Sequence, residues 1–179
     1  MEKLLKTGKV KAIGVANYSL RYLEQLLPHV TVIPAVNQIE NHPSLPQQEI
    51  VDFCKSKGVL IVAYSPLGST GSPLATAAPI VEIAKRHNVT PVSVLLSLHG
   101  QCSTTSQVGV LTFLVARGKA VLAKSVTPER INANRNLVQL DESDLKLLDD
   151  YSNELTKAGQ LKRYVYPPWG IDFGFPDKS

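Results

Sequence analysis

The sequence predicts an α/β protein built on a parallel sheet with helices on both faces. Two observations carry that expectation. Short, continuous apolar runs alternate with segments whose apolar residues recur at helical spacing, the pattern of strands buried on both faces. Each apolar run also ends in hydrogen-bonding or charged residues: Asn17, Gln38 to Glu40, Tyr64-Ser65 and Lys124-Ser125. Ligands of parallel α/β folds sit at the carboxyl ends of the strands, so four such ends predict one site assembled along one edge.

The elements follow in order. Glu2 to Lys6 is the end of a helix, stopped before Gly8. Ala12–Val15 is a short buried strand, and Ser19 opens a helix through Tyr22, Leu23, Leu26 and Leu27. Pro34–Ile39 is the second strand, followed by a helix over Gln47–Lys57 with a stripe of Ile50, Val51, Phe53 and Cys54. Val59–Tyr64 is the third strand. Its helix lies in Pro79–His87, and another starts near Thr90-Pro91. Ala120–Ala123 is the fourth strand. The last helix starts at Asp141, a suitable N-cap, with Asp144 where a capping acid belongs.

Composition narrows the function classes. Apolar residues at 44% and charged residues at 19% fit an ordinary globular α/β protein. The apolar runs are too short and interrupted to cross a membrane, and Met1–Lys6 lacks the apolar stretch of a secretory signal. The net charge of +4 is spread along the chain, with no Lys/Arg block interleaved with aromatics, so no nucleic-acid partner is expected. Cys54 and Cys102 lack metal-like or redox-motif spacing and fit a reducing, cytoplasmic setting.

Lys124-Ser125-Val126-Thr127-Pro128-Glu129-Arg130 is the strongest local signal. A strand delivers Lys124 and Ser125, Thr127 is a good N-cap, and Pro128 occupies the favoured first helical position. The helix start offers N–H groups, and Arg130 adds a planar fork, a combination suited to phosphate. Tyr64-Ser65-Pro66-Leu67-Gly68-Ser69 runs from a strand into a Pro/Gly turn. Its ring can stack on a ligand and its amides can meet a pyrophosphate. Asn17 and Gln38 each present a donor and an acceptor together, as an amide ligand requires.

Taken together, Gly14-Val15-Ala16-Asn17-Tyr18-Ser19, Asn37-Gln38-Ile39-Glu40-Asn41-His42-Pro43, Ala63-Tyr64-Ser65-Pro66-Leu67-Gly68 and the Lys124–Arg130 segment resemble the aldo-keto reductases in order and spacing. The resemblance covers nearly the whole chain, and Asn41-His42-Pro43-Ser44 looks most like fungal members acting on aldehydes, aldoses or small polyols. It implies a TIM (β/α)8 barrel, of which this chain carries the second half: the fifth to eighth strands with their helices and the C-terminal tail. It also implies NADP(H) as cofactor. Asn17 and Gln38 would hold the nicotinamide carboxamide, and Tyr64 would stack on its ring. Ser65, Leu67 and Ser69 would line the pyrophosphate. Lys124, Ser125, Val126 and Arg130 would grip the adenosine 2′-phosphate, and Asn134 the adenine. His42 follows the family pattern and is read as structural. The aromatic tail, with Trp169, corresponds to the family's substrate-facing C-terminus.

Three departures qualify the resemblance. Ala16 and Ala133 replace polar residues usual in the family. The family's catalytic Asp, Tyr, Lys and His come from the first four strands, and none can be matched here, so residues 1–179 form a partial reductase domain. Residues 100–114 interrupt the family pattern as an insertion without helical period, rich in Ser and Thr. Codons for Gly100 and for Leu114-Val115 permit the borders of a retained intron read in frame. The expected function is NADP(H)-dependent reduction of aldehydes or ketones, or the reverse oxidation of alcohols, with this chain inactive alone. The alternative is a non-catalytic NADP(H)-binding or partner-binding module. Open strand edges of a half barrel further predict self-association.

Overall fold

The computed structural model describes residues 1–99, 119–166, 168 and 170–178. The insertion at 100–114, Cys102 and Trp169 lie outside the described residues. Strands β1 (Val15–Ala16), β2 (Val36–Glu40), β3 (Leu60–Tyr64) and β4 (Lys119–Leu122) form one sheet in the order β1-β2-β3-β4. The helices are α1 (Glu2–Leu5), α2 (Leu20–Leu26), α3 (Gln48–Ser56), α4 (Ala78–Arg86), α5 (Pro91–His99), α6 (Pro128–Ala133) and α7 (Glu142–Lys157). All four expected strands and their helices are present, most within a residue or two of the expected bounds.

β1 is the exception. It was expected over Ala12–Val15, but ladder pairing is confined to Val15 opposite Asn37 and Ala16 opposite Gln38, in parallel. Among the described residues the strand is an outer one, with a ladder partner on one side only. Its approach to β2 is close: a Cβ on Gly14 would lie 2.5 Å from Val36 Cγ2. Glycine lets the two backbones meet there.

The chain divides into two compact units. Unit 1 comprises residues 1–39, 47–62 and 166–179. Its core holds Leu23 of α2, Ile39 of β2, Ile50, Val51 and Cys54 of α3, Ile61 of β3, and Phe175 of the tail. Apolar residues of α3 recur on one face because a 3.6-residue period brings positions 50, 51 and 54 together. Tyr166 and Phe173 pack against this core and meet edge to face at 5.5 Å. The tail therefore docks on unit 1, and burial of its rings supplies the driving force.

Unit 2 comprises residues 40–46 and 63–165. Its core is Ile80, Ile83 and Ala84 of α4, Val94, Leu95 and Leu98 of α5, and Leu148 of α7, with Leu74 and Leu140. Ser93 to His99 of α5 are all buried, so this helix is wrapped by protein rather than amphipathic. α7 starts as the sequence indicates, with a capping box between Asp141 and Asp144. Asp144 does more than cap. Its buried carboxylate accepts from Arg86 Nη1 at 2.7 Å and meets His87 Nε2 at 2.5 Å, tying the end of α4 to the start of α7.

Candidate functional site

In unit 1 the candidates are Asn17 and Gln38. Asn17 follows β1 in the left-handed region, with φ at 58°, and its N–H donates to the Gln38 carbonyl at 2.9 Å. A non-glycine residue held at positive φ stores strain that the surroundings must sustain. Asn37 supplies the support. Its buried amide donates to the Tyr18 carbonyl at 2.9 Å and accepts from the Tyr18 N–H at 3.4 Å. Asn37 therefore fixes the turn that presents Asn17. Sequence reasoning treated it as part of a motif only, because its partner lies across a strand pair. Beside Asn17 is a cavity of about 490 Å³, walled by Ala16, Tyr22, Gln25, His29 and Phe173 among others. Tyr22 Oη donates to the Asp172 carbonyl at 2.9 Å, which secures the tail along this wall.

In unit 2, Tyr64 ends β3 half-buried. Burial, seconded by the Glu40 carboxylate, pushes its phenol up to about 12, while Arg163 acts the other way. Ser65 follows at φ 48°, a second strained strand end. The Ser65 carbonyl accepts from the Gly68 N–H at 2.8 Å, and that of Ser69 from the Ser72 N–H at 2.9 Å. Gly68, at φ 77°, admits no side chain, since a Cβ would fall 2.2 Å from Ser72 Oγ. The Leu67 side chain packs on the unit 2 core, so its backbone is what this turn offers a ligand.

The Lys124–Arg130 segment turns from β4 into α6. Thr127 occupies the N-cap position, but its side chain makes no capping bond. Ser125 Oγ accepts the Thr127 N–H at 3.2 Å, which fixes the turn before α6 and leaves the first-turn N–H groups of the helix without a side-chain cap. Lys124, Val126 and Arg130 are exposed, Val126 at 78%. No salt bridge engages Lys124 or Arg130 among the described residues. Asn134 caps the far end of α6 and lines a second cavity of about 250 Å³ with Val121, Leu122, Ala123 and Ile131.

Beneath the Tyr64 turn is a buried polar cluster that sequence reasoning did not resolve. The Glu40 carboxylate is fully buried and meets His42 Nε2 at 2.9 Å. It also accepts the Tyr164 N–H at 2.8 Å and the Val165 N–H at 2.9 Å. His42 Nδ1 pairs with Ser44 Oγ at 3.2 Å, consistent with a structural histidine. Nearby, Lys119 Nζ donates to Asn41 Oδ1 at 3.0 Å. The only advance signal was Glu40-Asn41-His42 itself, polar residues running out of an apolar strand.

Among the described residues, no cluster of three or more His, Cys, Asp or Glu is placed to hold a metal. No described helix is long and apolar enough to cross a membrane.

Comparisons with known proteins converge. The aldo/keto reductase family model matches residues 1–153. The chain is 66% identical to a D-galacturonate reductase of Hypocrea jecorina, over 100% of this chain and 53% of that protein. It is 44% identical to a glycerol 2-dehydrogenase (NADP(+)) of Saccharomyces cerevisiae, over 94% of this chain and 49% of that one. The chain thus spans about half the length of the curated relatives it matches. Among solved structures, aldose reductase from Giardia lamblia superposes with a TM-score of 0.77 at 31% identity, over 98% of this chain and 54% of its own. The four-stranded sheet and its helices are accordingly part of a TIM barrel, and the chain belongs to the aldo/keto reductase family.

Proposed function

We propose that this chain binds NADP(H) and forms the cofactor-gripping part of an oxidoreductase that interconverts small carbonyl compounds and alcohols. The observation that carries this is the pair Lys124 and Arg130. Both are exposed around a strand-to-helix turn, and neither is in a salt bridge among the described residues. Charges left unneutralised beside a helix start suit a phosphate, and Arg presents it with two parallel N–H donors. In this proposal Lys124, Ser125, Val126 and Arg130 hold the 2′-phosphate, and Asn134 meets the adenine from the wall of its cavity. Ser65, Leu67 and Ser69 offer the Gly68 turn to the pyrophosphate. Tyr64 stacks on the nicotinamide ring, and Asn17 and Gln38 receive its carboxamide. A neutral phenol suits stacking, and burial moves the Tyr64 phenol still further from ionisation.

When bound, the cofactor supplies or accepts hydride. The groups in this chain bind and orient it. No residue of the chain matches the family's proton-donating set, so residues 1–179 alone are proposed to bind without turning over. Two relatives named for reduction of D-galacturonate and for oxidation of glycerol with NADP(+) favour a small polyhydroxylated substrate. Residues 1–179 are taken as one partial reductase domain. We also hold to the proposals of a cytoplasmic setting, of an aromatic tail including Trp169 that faces substrate, of self-association through open strand edges, and of an insertion at 100–114 derived from a retained intron.

Titration of the purified chain with NADPH, followed by the fluorescence of the reduced nicotinamide, tests the central proposal. Saturable binding of NADPH, with NADH at least tenfold weaker, is the expected result. Equal affinity for the two would remove the role given to Lys124 and Arg130, and absence of binding would sink the proposal. Steady turnover of an aldehyde by the same preparation would refute the inactivity of the isolated chain.

A further inference from the structure

Glu40 is a fully buried carboxylate beside Tyr64, whose phenol it acts on, and it stands at the centre of the support for the proposed cofactor residues. A buried carboxylate is tolerated when its lone pairs are filled by donors. Three of its donors are His42 Nε2 at 2.9 Å, the Tyr164 N–H at 2.8 Å and the Val165 N–H at 2.9 Å. Two of the three come from a segment more than a hundred residues away in sequence. Glu40 therefore sets where Tyr164 lies.

The Tyr164 ring is held from several sides. It is 5.5 Å from the His42 ring, and Lys162 Nζ stands 5.2 Å from its centroid. Lys162 is itself fixed by its N–H to the Ser44 carbonyl at 2.9 Å. The ring also closes over the Ser65–Ser72 turn, where a Cβ placed on Gly68 would lie 3.3 Å from Tyr164 Cδ2. Gly68 is at φ 77°, a conformation with many neighbours in an unconstrained chain. A rigid aromatic plane against it narrows that choice.

We propose that Glu40 is a positioning residue for the cofactor site: its carboxylate fixes Tyr164, and the Tyr164 ring holds the Ser65–Ser72 turn in the shape that receives a pyrophosphate. This rests on the NADP(H) proposal above. Glu40 works by preorganisation, so removing it raises the ordering cost of binding without removing a contact to the ligand. Because the Glu40 charge also reaches Tyr64, Tyr164→Leu is the variant that isolates the pyrophosphate turn. The Lys124–Arg130 grip on a 2′-phosphate does not depend on it.

The test compares two probes, NADPH and adenosine 2′-monophosphate, by calorimetry on the full chain. The variants are Glu40→Gln, which keeps size but loses the charge, and Tyr164→Leu, which keeps the backbone N–H but loses the ring. The expected result is NADPH binding weakened about tenfold in each variant, with adenosine 2′-monophosphate bound as in the parent. A general loss of fold would weaken both probes together, and that outcome overturns the proposal. Unchanged affinity for both probes overturns it as well. If Glu40→Gln does not fold, Tyr164→Leu decides by the same criterion. A parent chain that binds no NADPH refutes the cofactor assignment itself, and the role of Glu40 goes with it. A parent that binds it beside unaffected variants refutes only the role of Glu40.

Discussion

The cluster around Glu40 and the Lys124–Arg130 turn are both rich in polar groups, and they treat them in opposite ways. Glu40, His42 and Ser44 are buried, and each has partners inside the protein. Lys124 and Arg130 are exposed and enter no salt bridge among the described residues. Polar groups satisfied internally specify a structure, whereas charges left open on a fixed frame are available to a ligand. The same contrast separates Asn37, spent on holding the Tyr18 backbone, from Gln38 beside it.

The sharpest way to break this comparison is to remove one member from each region and measure stability. Glu40→Ala leaves His42 and two backbone N–H groups without their acceptor, and should cost about 3 kcal/mol in urea denaturation. A cost under about 0.5 kcal/mol, the range of ordinary surface changes, would show that the cluster is not structural. Asp144→Ala should follow at about 2 kcal/mol, since Arg86, His87 and the cap of α7 share that carboxylate. A melting temperature equal to the parent's would contradict it.

Arg130→Ala belongs to the other region. It should leave stability within about 0.5 kcal/mol of the parent. NADPH affinity should fall about tenfold, as for the loss of a charge-assisted contact, while NADH affinity stays unchanged. An equal loss for both cofactors would argue against a 2′-phosphate contact.

The smallest expected effect comes from Tyr64. Its folded phenol is raised from 10.0 to about 12, so the folded state disfavours the charged form. That contribution to stability is complete below pH 10 and is lost as pH rises through about 12. The steepness of alkaline unfolding should therefore lessen in Tyr64→Phe, and an identical pH profile would show that another group is responsible.

The alternation of strands and helices was legible because each period is local. Ser19 and Asp141 were legible as helix starts because a cap acts within a few residues, and both side chains accept the expected backbone N–H. Thr127 shows the limit of that logic: it stands at the N-cap position, yet its side chain makes no capping bond. The strand-end candidates were legible from their order along the chain. Their supports were not, because Asn37 to Tyr18 and Glu40 to Tyr164 are contacts between distant segments that leave no periodic trace. The two-residue length of β1 was equally hidden, since an outer strand pairs only as far as its one neighbour allows.

The tail gives the chain an order of assembly. Unit 1 is drawn from residues 1–39, 47–62 and 166–179, and Phe175 is buried in its core beside Leu23 and Ile39. During synthesis the N-terminal parts of this unit must wait, with that core incomplete, until the segment carrying Phe175 has left the ribosome. The stretch that forms most of unit 2 is made in the interval, so the unit begun first is the one finished last.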